Sequence, residues 1–166
     1  MIPFLLICVL VLSVSRYHDV SFLYLSRGCD PLCYITYPFV HASFTHLLVN
    51  TIAILSFWER LDRESTKAFL MSLLLSYPVV TAIGISDTPT VGASGIAFTI
   101  VGTYLSMLLR DHGIKTFIRF FLLVSAIMIA QAFLSRGSVN WMIHASSLYL
   151  STILSCLYME WTKKRS

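Results

Sequence analysis

Polar residues in this chain gather in short clusters between long apolar runs. Read against the roughly 17 to 25 residues that an α-helix needs to cross the hydrocarbon core, the runs predict six membrane-spanning helices, at about 2–15, 39–58, 68–84, 93–109, 117–134 and 141–159. The first run is short and reaches past Arg16 if that side chain snorkels to the interface. It also reads as a cleaved signal peptide, with small residues at Ser13 and Ser15, although no positive charge leads it. Cleavage leaves five spans in the same orientation.

Composition supports the pattern. The chain of 166 residues is 57% hydrophobic and only 12% charged, and its mean hydropathy is +0.78, whereas about a quarter of the residues in soluble domains are charged. The expected fold class is an all-α polytopic membrane protein, a single domain over 1–166 with no repeat, linker or soluble domain. The cations set its orientation. Alternating the connections puts Arg60, Arg63, Lys67, Arg110, Lys115, Arg119, Lys163, Lys164 and Arg165 on one side, and only Arg16, Arg27 and Arg136 on the other. Cytoplasmic loops carry the excess of Lys and Arg, so both termini are expected in the cytoplasm. The net charge of +4 is then a topology signal. Without a basic stripe or an aromatic-interleaved groove it does not point to nucleic acid.

The four cysteines say less. Cys8 and Cys156 fall within spans and read as lipid-facing or packed apolar residues. Cys29 and Cys33 lie in the outside connection 16–38, where a local disulfide or an ordinary loop both fit, and one pair does not define a zinc site.

Three polar islands interrupt the apolar runs. They are His41 to Asn50, Gly92-Ala93-Ser94-Gly95, and His144 with Ala145-Ser146-Ser147. An ionisable group in a spanning helix is costly unless it faces a cavity or a partner. In the predicted topology the second, fourth and sixth spans all run inward from the outer face, and all three islands lie in their early turns. Chemistry from three segments thus meets at one depth.

Spacing adds detail. His46 and Asn50 are four apart and share a helical face suited to an oxyanion, while His41 points elsewhere on the same helical wheel. Gly92 and Gly95 flank Ser94 with small residues and leave an amide N–H at a helix start. Phe98, one turn beyond Ser94, is placed to pack a ring on an imidazole. His144, Ser147 and Ser151 form a small-residue stripe that lets two membrane helices approach closely. The same reading makes Gly92 to Gly95, continued by Gly102, a packing patch, and the two roles are compatible.

The ordered set His41-x4-His46-x3-Asn50, Gly92-x-Ser94-Gly95 and His144 resembles the rhomboid family of intramembrane serine proteases in its minimal six-span form. The resemblance implies a six-helix rhomboid-like bundle, with Ser94 as nucleophile and His144 as its base. It further implies an oxyanion hole of His46, Asn50 and the Ser94 amide, with His41, Gly92, Gly95 and Phe98 in support. No cofactor and no metal are implied.

Five residues depart from the family pattern. Leu32-Cys33 stand near its usual Trp-Arg pair, Ser147 and Ser151 replace glycines, and Phe98 replaces a tyrosine.

The expected substrates are single-span membrane proteins with small or helix-breaking residues near the outer interface, admitted laterally past the fifth span and the loop 135–140. The expected setting is the lipid bilayer of a bacterial cytoplasmic membrane, with the site open to the outside. Two other classes fit parts of the pattern. One is a non-cutting rhomboid-like binder or chaperone of membrane helices, which usually lacks the serine or the histidine. The other is a metal or proton conduit, which needs converging ligands or deeper ionisable groups.

Overall fold

The computed structural model describes residues 2–134 and 140–165. Its elements are α1 (Ile2–Val14), a 3₁₀ turn at Ser21–Leu23, the single-turn α2 (Cys33–Thr36), a second 3₁₀ turn at Tyr37–Phe39, α3 (Phe44–Trp58), α4 (Arg63–Gly84), α5 (Ser94–Leu134) and α6 (Trp141–Lys163). Among the described residues α4, α5 and α6 are long and apolar enough to cross a membrane, and a fourth segment qualifies if Cys33–Phe39 and Phe44–Trp58, bent by 91°, count as one. The chain is an integral membrane protein built of helices.

Capping side chains start the helices where they do. Asp62 accepts the Ser65 N–H at 2.7 Å and Ser43 accepts the His46 N–H at 3.1 Å, each satisfying a donor that the first turn leaves orphaned. The Ser43 cap also corrects the expected second span. Its helix begins at Phe44 and not at 39, because Val40 and Ser43 are extended, so His41 stands ahead of the helix.

Gly113 breaks α5 with φ 77°, a left-handed conformation that costs glycine little. The two arms fold back on each other, since Val101, Leu105 and Leu108 of the first share a core cluster with Met128 of the second and Leu148 of α6. With the arms counted separately, all six apolar runs of the sequence form helix.

Large apolar side chains such as Leu74, Leu122, Leu157 and Phe133 point outward, while small and hydroxylated ones fill the centre. Ser155 of α6 meets Ser72 of α4 at 2.7 Å and Thr103 of α5 at 3.0 Å, and Ser106 donates to the Thr152 carbonyl at 2.8 Å. Small residues allow close helix approach, and these bonds satisfy hydroxyls that lipid would not. The approach is tightest at Gly102, where a Cβ would strike Ser151 Oγ and the Leu148 carbonyl.

The connection 16–38 is docked on the bundle. Leu25 and Thr90 exchange main-chain hydrogen bonds at 3.0 and 2.8 Å, the Arg27 N–H donates to the Ser86 carbonyl at 2.9 Å, and Tyr77 Oη donates to the Tyr34 carbonyl at 2.8 Å. Cys29 and Cys33 form a disulfide, and Cys33 is buried in a cluster with Leu25, Tyr37, Val80 and Ile143. A covalent staple and a buried cluster thus anchor the connection at Leu32-Cys33. Arg136 and most of the loop 135–140 lie outside the described residues.

Candidate active site

Ser94 opens α5 and His144 lies in the first turn of α6, and the two helices bring them together. His144 Nε2 and Ser94 Oγ are 2.8 Å apart. Ile143 lies close enough to Gly95 that an added Cβ would meet it at 3.0 Å, with Ser147 Oγ at 3.4 Å. Gly95 and the small Ser147 of α6 therefore set the helix separation that this hydrogen bond requires. The Phe98 ring packs against the imidazole with centroids 4.7 Å apart and planes tilted by 30°, as its place one turn beyond Ser94 predicts.

Gly92 governs the other side of Ser94. Its φ of 114° is open to glycine and strained for other residues, and its N–H donates to the Tyr37 carbonyl at 3.0 Å. A Cβ there would lie 2.6 Å from His46 Cε1, 2.8 Å from His46 Nε2 and 3.4 Å from Asn50 Nδ2. His46 and Asn50 therefore face the segment leading into Ser94 from one side of α3. Asn50 Nδ2 is buried and meets no acceptor among the described residues. Leaving such a donor unpaired costs about 1–3 kcal/mol.

His41 departs from the expectation that it points away from His46. Their rings meet edge to face with centroids 5.1 Å apart, and His41 Nε2 accepts the Ala93 N–H at 3.4 Å. The helical wheel did not apply, because His41 precedes the Ser43 cap. Even so, no group of three or more His, Cys, Asp or Glu among the described residues is arranged to hold a metal ion.

A polar cleft of about 420 Å³ opens over the site, lined by His46, Asn50, Ser94 and His144 together with Thr90, Asn140 and Gln131. Adjoining it, a more apolar cavity of about 800 Å³ runs between α3 and the second arm of α5, sharing Asn50, Ser94, Gln131 and His144 with the cleft. Asn140 belongs to the supporting structure and was not singled out from the sequence. Its Nδ2 donates to the Gly84 carbonyl at 2.7 Å and to Thr90 Oγ1 at 2.9 Å, while its Oδ1 accepts the Ile143 N–H at 3.4 Å. An Asn just before an apolar helix is a cap signal, but the cross-bundle bonds leave no trace in local sequence. Tyr37 acts through its carbonyl, which no side-chain pattern reveals.

Residues 29–161 match the family model of the Rhomboid domain. The chain belongs to the rhomboid family. It is also 31% identical over 145 residues to the Bacillus subtilis (strain 168) protein named "Putative rhomboid protease YdcA", an alignment covering 79% of this chain and 69% of that one. The matched residues include all three polar islands, so the Ser94, His144, His46 and Asn50 cluster lies within the rhomboid domain.

Proposed function

We propose that this rhomboid is an intramembrane serine endopeptidase that cuts single-span membrane proteins near the outer membrane face. The observation that carries the reading is the 2.8 Å approach of Ser94 Oγ to His144 Nε2, within the reach a nucleophile needs from its base. Ser94 Oγ attacks the scissile carbonyl while His144 takes its proton and later returns it to the leaving amine. The intermediate's negative oxygen is received by Asn50 Nδ2, the His46 ring and the Ser94 amide, and the buried, unpaired Nδ2 supports this assignment. Gly92, Gly95, Phe98 and His41 position these groups.

A membrane-spanning helix has its carbonyls bonded internally and must unwind before attack. The cavity between α3 and the second arm of α5 suits lateral admission of such a segment. In this reading the apolar helices make six passes. Both termini and the nine cations of their side lie in the cytoplasm, in a bacterial membrane, and the cleft faces outward. Two structural links accord with that partition. Arg110 pairs with Asp62 at one end of the bundle, and Arg27 pairs with Asp87 at the end that carries the cleft.

The test is cleavage of a single-span reporter reconstituted with the protein in liposomes, comparing the parent with Ser94→Ala and His144→Ala. Loss of cleavage in both variants is expected. Intact reporters with the parent, or cleavage that survives without Ser94, would overturn the dyad and leave a non-cutting helix binder as the better account.

A further inference from the structure

One polar side chain at the site has no task in the mechanism above. Gln131 lies in the long apolar stretch 120–134, where Ser125 is the other polar residue. An amide in the hydrocarbon region is costly unless it is bonded, and no hydrogen bond to the Gln131 carboxamide is found among the described residues. Gln131 is nonetheless exposed, and it lines both the polar cleft and the apolar cavity, which meet at Ser94 and His144. The carboxamide therefore stands on the boundary that a membrane segment must cross to reach the serine.

Its chemistry matches what such a segment lacks there. An unwound helix turn frees main-chain N–H and C=O groups, which have no water to bond within the bilayer. A carboxamide carries one acceptor oxygen and two N–H donors, the same pair of functions as a peptide group. Resting on the protease reading, we infer that Gln131 is a substrate-binding residue whose carboxamide pairs with main-chain groups of the substrate beside the scissile bond. Because a main chain is common to all sequences, Gln131 lowers the cost of unwinding without selecting side chains.

The experiment is a cycle between Gln131→Leu and synthetic single-span peptides in which one amide at a time near the scissile bond is N-methylated or replaced by an ester, assayed in proteoliposomes. Gln131→Leu is expected to lower kcat/KM on the unmodified peptide by about three- to tenfold, the scale of one hydrogen bond. Fluorophosphonate labelling of Ser94 and the thermal unfolding midpoint are expected to stay at parental values. At one backbone position the modified peptide is cleaved equally by parent and variant, since the bond is already missing. Unchanged kcat/KM, or additive losses at every position, overturns the inference. If the leucine disturbs the fold, Gln131→Met keeps the unbranched length of the side chain while removing both the amide donors and the acceptor, and serves in the same cycle. A parent that neither labels nor cleaves overturns the protease reading itself, an outcome told apart from the others because it appears without any change at Gln131.

Discussion

Gly92 holds its backbone where any side chain would run into the imidazole of His46. The missing Cβ lies 2.6 Å from Cε1, and the positive φ adds strain for every other residue. Gly92→Ala is therefore expected to displace His46 and Asn50 together. Cleavage of the liposome reporter should fall about 10²- to 10³-fold, the scale of losing one oxyanion donor. Circular dichroism should still report a helical bundle, and an alanine variant with parental turnover would contradict the placement.

Phe98 and His144 form a second such pair. The ring is half-buried against the imidazole, and aromatic pairs of this kind contribute about 0.5–1.5 kcal/mol beyond buried area. Phe98→Ala should free the imidazole to leave Ser94, lowering turnover about tenfold, while Phe98→Tyr keeps the ring and most of the rate. Equal effects of the two changes in the same assay would argue that the ring does not orient the base.

At Gly102 the expected effect is on stability. A Cβ there strikes Ser151 Oγ and also the main chain of α6 at Leu148 O and Thr152 N. Gly102→Ala should cost about 1–3 kcal/mol by overpacking, read as a lower unfolding midpoint in detergent. Ser151→Gly removes the side-chain clash but not the backbone ones, so the double variant should recover only part of the loss.

Acid should weaken the end of the bundle opposite the cleft. Partial burial raises the pKa of Asp62, but the Ser65 N–H and the Arg110 guanidinium outweigh it and hold the carboxyl below its ordinary value. A depressed folded-state pKa stabilises the protein above the unfolded value, about 3.9, and that contribution disappears as pH falls through the folded one. The side chain is half exposed, which limits the gain to about 1 kcal/mol. Asp62→Asn keeps a capping side chain and cannot titrate, so its unfolding midpoint should change less than the parent's below about pH 4. Parallel profiles would remove Asp62 from the acid response.

The meeting of Ser94 and His144 was legible because each lies at the start of an apolar run and the alternating topology puts those starts at one depth. His41 was misplaced by carrying a helical wheel back across Ser43, whose side chain caps the start of the helix. The docking of 16–38 was hidden for a different reason. Its bonds to Thr90, Ser86 and Gly92 are made by main-chain atoms, which every residue has and no residue type signals. The pairing of Cys29 with Cys33 stayed open because a four-residue separation fits a bridge and a plain loop equally well.

The placement of the imidazole on α6 bears on the timing of synthesis. The serine sits at the head of α5, but the chain between them, including the whole Gly113 hairpin, must be made and inserted before His144 can reach it. On the proposed chemistry a nascent chain therefore carries its nucleophile through translation without a base. Neighbouring proteins at the insertion machinery are spared until the bundle has closed.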